Sequence, residues 1–112
     1  MNQQVKMVDV ATALHWINSG AAVVVDVRER HEFAAQHIPG AQLLPLSEFD
    51  PSKMPAVGED KKLLLHCRSG QRCGLAAARL LATGYKGEIN RLAGGILAWM
   101  AAGAPVECGA TV

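Results

Sequence analysis

Apolar and polar positions follow two rhythms along this 112-residue chain. Val10, Leu14 and Ile17 recur at helical spacing, with Asp9 placed to cap the helix and Gly20 to end it. Ala22-Val23-Val24-Val25 is an unbroken apolar run rich in β-branched residues, the pattern of a strand covered on both faces. Asp26-Val27-Arg28 leaves that strand. Glu29 to Gln36 predicts a short helix, with Arg28 and Glu32 four apart and able to pair. Pro39-Gly40 stops it. Ala41 to Leu46 predicts a second strand, and Ser47 to Met54 has room for a helical turn interrupted by Pro51 and Pro55. Lys61-Lys62 leads from the surface into a strand at Leu63 to Leu65. Cys73 to Thr83 predicts a helix with Ala77, Leu80 and Leu81 on one stripe and Gly84 at its end. Glu88 to Leu92 predicts the last strand. Gly94-Gly95 then turns the chain into a helix with Ile96, Trp99 and Met100 on one face, closed by Gly103 and Pro105.

Strands alternating with helices predict an α/β fold: a central, mostly parallel sheet flanked by helices on both faces. No repeat, linker or low-complexity stretch interrupts the pattern, so residues 1–112 are expected to form one domain with its core at about 5–106. In such folds the site lies beyond the carboxyl ends of the strands, where Asp26 and Cys67 both fall.

Composition narrows the function classes. Half the residues are apolar but only 4% are aromatic, so alanine, leucine and valine must fill the core. A formal net charge of +1 gives no global attraction to nucleic acid or anionic lipid, and any anion preference must be local. Three cysteines (Cys67, Cys73, Cys108) do not make a disulfide framework or a zinc pattern, and His15, His31, His37 and His66 lack ligand spacing. No metal or organic cofactor is expected. No signal peptide is evident, Met1 to Val10 holds no apolar core run, and no stretch is long enough to span a membrane. A cytoplasmic, reducing setting is therefore expected.

The chemistry concentrates at His66-Cys67-Arg68-Ser69-Gly70-Gln71-Arg72. An apolar strand ends at a cysteine, and a helical pattern begins right after the second arginine. Such a loop aims backbone N–H groups at one point, and the helix start adds partial positive charge. A cysteine there tends to be a thiolate, the reactive form. Arg68 and Arg72 add permanent charge and forked donors, and Gly70 lets the backbone curl.

The run Cys67-Arg68-Ser69-Gly70-Gln71-Arg72 resembles the active loop of rhodanese-type sulfurtransferases. Asp26-Val27-Arg28, Glu32-Phe33 and His37-Ile38-Pro39-Gly40-Ala41 are similar to that family's first block. Leu92-Ala93-Gly94-Gly95-Ile96, followed by Trp99, is similar to its last. The resemblance runs from about Val5 to Val106 and corresponds to the stand-alone, single-domain form. It implies a persulfide on Cys67, with Arg68, Ser69, Gly70, Gln71 and Arg72 holding the donor. It also implies thiosulfate or a low-molecular-weight persulfide such as glutathione persulfide as donor. The acceptor would be a thiol, on a small molecule or a partner protein, or cyanide in vitro. Asp26, Arg28 and Glu32 read as a supporting charge cluster rather than as catalysts.

Several residues carry two readings. Cys73, where the family more often has a small residue such as serine, is either a small hydrophobe at a helix start or a resolving cysteine for Cys67. Gly94 and Gly95 either admit close approach to the loop or simply begin a helix. His66 neighbours the nucleophile but should point to the opposite face of the strand. His37 and Pro39-Gly40 read as turn formers, Trp99 as core, and Cys108 as an incidental tail thiol. Two rival functions stand beside sulfur transfer. Cysteine phosphatases and arsenate reductases also pair a cysteine with a basic loop, but theirs is one residue longer between cysteine and arginine. A persulfide carrier or interaction module without independent turnover would use the same scaffold.

Overall fold

The structure, a computed structural model, describes residues 4–109. Its elements are β1 (Val5–Val8), α1 (Val10–Asn18), β2 (Ala22–Asp26), α2 (Arg30–Ala35), β3 (Gln42–Leu43), β4 (Lys62–His66), α3 (Gln71–Ala82), β5 (Ile89–Leu92) and α4 (Gly95–Ala101). Short 3-10 turns occupy Leu46–Glu48 and Pro51–Lys53 between β3 and β4. The five strands form one sheet in the order β1-β5-β4-β2-β3, and every pairing is parallel.

Parallel neighbours require crossovers, and the helices that make them cover both faces of the sheet. Successive residues of each strand therefore serve two cores. Val25, Leu63, Leu65 and Ile89 pack with Cys73, Ala76, Ala77 and Leu80 of α3. Val24, Leu64 and Leu92 pack on the other face with Ala13 of α1 and with Ile96 and Trp99 of α4. Each fully buried large side chain contributes about 1.5–3 kcal/mol. Trp99 is fully buried and satisfies its indole by donating to Pro105 O at 2.7 Å.

Three elements depart from the sequence expectation. β1 is unanticipated. It lies at the sheet edge, in register with β5 from Val5–Ile89 to Val8–Leu92, and its Lys6 and Met7 are exposed, so too little of it is buried to leave an apolar run. β3 is only two residues, not Ala41 to Leu46, because Pro45 starts the first 3-10 turn instead of extending the ladder. α3 begins at Gln71, two residues earlier than expected, which places Arg72 in its first turn.

The segment after α4 is tied back to α2. His37 and Glu107 exchange backbone hydrogen bonds at 2.8 and 2.9 Å, and His37 Nε2 lies 3.0 Å from Glu107 Oε1. The His37 ring stacks on Phe33 with centroids 4.0 Å apart. His37 thus anchors a chain segment, a larger part than shaping a turn. Among the described residues no helix is long and apolar enough to cross a membrane.

Candidate active site

β2 and β4 run side by side with Asp26 opposite His66, and Val27 N–H donates to His66 O at 3.0 Å. Cys67 is the first residue beyond β4, at the carboxyl edge of the sheet. From there the chain curls through Ser69 to Gly70, which has φ +111° and serves as the N-cap of α3. Only glycine takes that conformation readily, and glycine has no side chain with which to cap the helix. The open N–H groups of the first turn are left for another acceptor, and that acceptor is sulfur. Gly70 N–H donates to Cys67 Sγ at 3.1 Å.

The thiol of Cys67 is drawn down to about 5. The largest contribution is a hydrogen bond from the Cys73 thiol; burial opposes it, and backbone N–H groups of Cys73, Gly70 and Arg72 add to it. Cys67 is only 1% exposed. A thiolate in that position is stabilised by converging dipoles rather than by water.

α4 braces the loop from behind. Ile96 N–H donates to Cys67 O at 2.9 Å and Leu97 N–H to Arg68 O at 3.1 Å. A β-carbon at Gly95 would sit 2.4 Å from Arg68 O and 2.5 Å from Cys67 O. Of the two readings of Gly95, close approach is the one the fold uses, and the same residue also starts the helix.

The charged residues sort into two pairs. Arg72 Nη1 and Nη2 donate to the two carboxylate oxygens of Glu32 at 2.6 and 2.8 Å, and this guanidinium holds Glu32 at about 2. Arg28 does not pair with Glu32 as its spacing suggested. Glu29 is the extended N-cap of α2, so Arg28 lies outside the helix and the four-residue offset carries no helical proximity. Arg28 folds back on Asp26, with Nε and Nη2 2.7–3.0 Å from its carboxylate, and Nη2 also reaches Gln36 O at 2.6 Å. Both residues are buried. Arg68 and Ser69 are exposed on the loop, and Gln71 is exposed at the start of α3.

His66 is fully buried, and its contact with Cys67 is at the carbonyl, with Nδ1 3.3 Å from that oxygen. Burial pushes its pKa down against the pull of Asp26, whose Oδ2 is 3.5 Å from Nε2. The imidazole is thus a neutral strut on the far side of the loop.

Two residues of the site escaped the sequence reading. Arg91 on β5 donates through Nη2 to Gly70 O at 2.7 Å and through Nε to Cys73 Sγ at 3.4 Å. Gly74 makes room for it, since a β-carbon there would lie 2.8 Å from Nη2. A signal was present: a permanent cation inside a short, largely buried strand has to be paired with something. Cys73, whose two readings stayed open, is fully buried among apolar residues, and its thiol donates to Gly70 O at 3.1 Å.

A cavity of about 300 Å³ opens beside the loop, combining the charged groups of Arg28, Glu32 and Arg68 with apolar Ile96, Leu97 and Met100. A second, of about 330 Å³, lies at the amino ends of β4 and β5 around Lys62 and Glu88, on the opposite edge of the sheet from Cys67. Of the two, the first borders the Cys67 loop, through Arg68.

Comparison with known proteins agrees with this fold. Residues 9–102 match the family described as rhodanese-like domain. An uncharacterized protein of Synechocystis sp. is 46% identical over 85 residues, which are 76% of this chain and 46% of that protein. A protein of Allochromatium vinosum named sulfurtransferase is 38% identical over 84 residues, 75% of this chain and 77% of its own length. The crystal structure of a rhodanese-related protein from Thermoplasma volcanium superposes with a TM-score of 0.76 at 30% identity, covering 91% of this chain and 97% of that one. The chain thus spans less than half of the Synechocystis relative and about three quarters of the Allochromatium one.

Proposed function

Since this chain belongs to the rhodanese-like domain family, we propose that it is a sulfurtransferase that carries sulfane sulfur as a persulfide on Cys67. The observation that supports this most directly is the Cys67 sulfur itself, which accepts the Gly70 N–H at 3.1 Å and whose pKa is drawn down to about 5.

In the first step the Cys67 thiolate attacks the outer sulfur of the donor. The new Sγ–S bond forms as the donor's own S–S bond breaks. The electron pair leaves with sulfite if the donor is thiosulfate, or with a thiolate if it is an organic persulfide. The outer sulfur of the resulting persulfide remains anionic and takes over the converging donors. In the second step an acceptor thiolate attacks that outer sulfur and Cys67 leaves as a thiolate. Both leaving groups depart as stable anions, so no general acid is required. The near-complete burial of Cys67 suits transfer of a single divalent sulfur, which needs a narrow approach.

The adjoining cavity supports thiosulfate or a low-molecular-weight persulfide as donor. Arg68 is exposed toward solvent and offers charge to an anion, while Leu97 and Met100 offer apolar surface to an organic thiol. A protein acceptor would dock over the same opening. Residues Arg68 to Arg72 act here as the donor-holding loop. Asp26, Arg28 and Glu32 act as its support.

Mass spectrometry after mixing with thiosulfate or glutathione persulfide tests the proposal. The expected result is one added sulfur on Cys67, removed by a thiol or cyanide and absent in Cys67→Ser. Steady-state rates with both donors, beside aryl phosphate hydrolysis, separate catalytic transfer from phosphatase chemistry. No adduct with either donor would defeat the proposal, and an adduct without turnover would make the chain a carrier.

A further inference from the structure

One peptide plane aims a donor at the reactive sulfur. The Gly70 N–H that reaches Cys67 Sγ at 3.1 Å belongs to the peptide between Ser69 and Gly70. Glycine attains the required φ of +111°, but it attains many other conformations as readily, so it permits this orientation without enforcing it. The enforcement comes from the peptides on either side. The carbonyl one peptide before, Arg68 O, accepts the Leu97 N–H at 3.1 Å. The carbonyl one peptide after, Gly70 O, accepts Arg91 Nη2 at 2.7 Å and the Cys73 thiol at 3.1 Å. A guanidinium donates a charge-assisted bond and a thiol is a weak donor, so Arg91 is the stronger of these two holds. Arg91 reaches across from β5, where it pairs in register with Leu65 of β4, and it is half-buried. Gly74 gives an independent sign that this placement matters. Its backbone is ordinary helix, without a positive φ, and glycine inside a helix is less favourable than alanine. What glycine provides there is room, since a β-carbon would lie 2.8 Å from Nη2 and 3.1 Å from Cζ of Arg91.

We propose that Arg91 is a positioning residue for the nucleophile: by fixing the Gly70 carbonyl it keeps the Gly70 N–H on the Cys67 sulfur. Arg91 does not line the cavity beside the loop, so it acts through Gly70 and not on the donor. Without it, the permissive glycine is free to turn its N–H off the sulfur. The thiolate then loses a donor while Cys67, Arg68 and Arg72 all remain in the chain.

The role rests on the reading of Cys67 as the reactive sulfur, but its test needs no turnover. The ionisation of Cys67 is followed by the ultraviolet absorbance of its thiolate in a Cys108→Ser background, with Cys67→Ser as blank, and urea unfolding is measured beside it. Arg91→Met should raise the Cys67 midpoint by about half a pH unit to one unit, or about three- to tenfold in the ionisation constant, since one donor to a charged sulfur is weakened. Arg91→Lys keeps a cationic donor and should fall between Arg91→Met and the parent. Gly74→Ala keeps the whole charge but pushes the guanidinium off its place. It should shift the midpoint in the same direction by a smaller amount, with no loss of urea stability, because alanine suits the helix better. A lower urea midpoint in Arg91→Met with an unmoved thiolate would mean a structural role only, and overturns the proposal. A shift in Arg91→Met with none in Gly74→Ala would mean charge acting at a distance, and overturns it too. If Arg91→Met does not fold, Gly74→Ala decides, and an unshifted midpoint there overturns the positioning role. A shifted thiolate in a chain that transfers no sulfur would keep the role of Arg91 and sink the sulfurtransferase reading; an unshifted thiolate with full transfer would do the reverse.

Discussion

Gly95→Ala is the sharpest perturbation of this site that leaves every reactive group in place. The new methyl carbon would sit 2.4 Å from Arg68 O and 2.5 Å from Cys67 O, about 1 Å short of ordinary contact, at a φ of +61°. The left-handed conformation alone costs a non-glycine residue about 1–2 kcal/mol. Forcing the carbonyls away adds about 1–3 kcal/mol, as overpacking usually does. The total, about 2–5 kcal/mol, is a large share of the roughly 5–15 kcal/mol that holds a domain together. The backbone displacement falls on the loop that carries the nucleophile, and a misplacement of about 1 Å can cost on the order of 100-fold in rate. Urea unfolding should show a lower midpoint, and single-turnover persulfide formation should slow by on the order of 10- to 100-fold. Gly84→Ala is the control, with φ +85° and nothing within 4 Å of the added carbon. It should carry the conformational cost alone, about 1–2 kcal/mol, and leave the rate unchanged. A Gly95→Ala protein as stable as Gly84→Ala, loading sulfur at the parent rate, would refute the role given to the α4 brace.

Other consequences follow from the charges and the thiol. The rate of iodoacetamide alkylation of Cys67 in a Cys108→Ser background should rise with a midpoint near 5 and be flat above pH 7. An ordinary thiol would still be rising through about 8.5, and such a profile would contradict the site geometry. Glu32 is held near 2 in the folded protein against an ordinary 4.5, so the unfolded chain takes up its proton first on acidification. Its stabilising contribution is whole above about 4.5 and is lost as pH falls toward 2. Glu32→Gln should therefore flatten that part of the urea-midpoint profile, and an unchanged slope would count against the Arg72 bridge. Asp26→Ala strands the buried Arg28 guanidinium and should cost about 3–5 kcal/mol in chemical denaturation. Adding Arg28→Met should recover part of that loss, whereas full stability of the single variant would show that the pair is not needed.

The legible parts of this chain were those where one residue type has one physical use. The strands at Val23–Val25 and Leu63–Leu65 are apolar throughout because helices cover both faces, and no other setting suits such runs. The loop at Cys67 was legible because a cysteine, a glycine and two arginines between a strand and a helix have few other purposes. β1 was not legible because an edge strand buries too little to leave a pattern. The partner of Glu32 was not legible either. Spacing offered Arg28, four residues away, but the bond is to Arg72, forty residues on, and only the register of β2 against β4 brings them together. Arg91 hid for the same reason, since its partners Gly70 and Cys73 belong to another element.

Gly70 begins α3 without offering it anything to close its open end. Most helices are finished there by serine, aspartate or a neighbour's side chain, and a mutation supplying one is a standard route to a sturdier protein. In this chain that improvement would be self-defeating. Any cap would compete for the same amides that keep the sulfur charged, trading reactivity for durability. Thermostability and sulfur chemistry draw on one small set of hydrogens, so variants selected for robustness alone should drift toward an inert thiol.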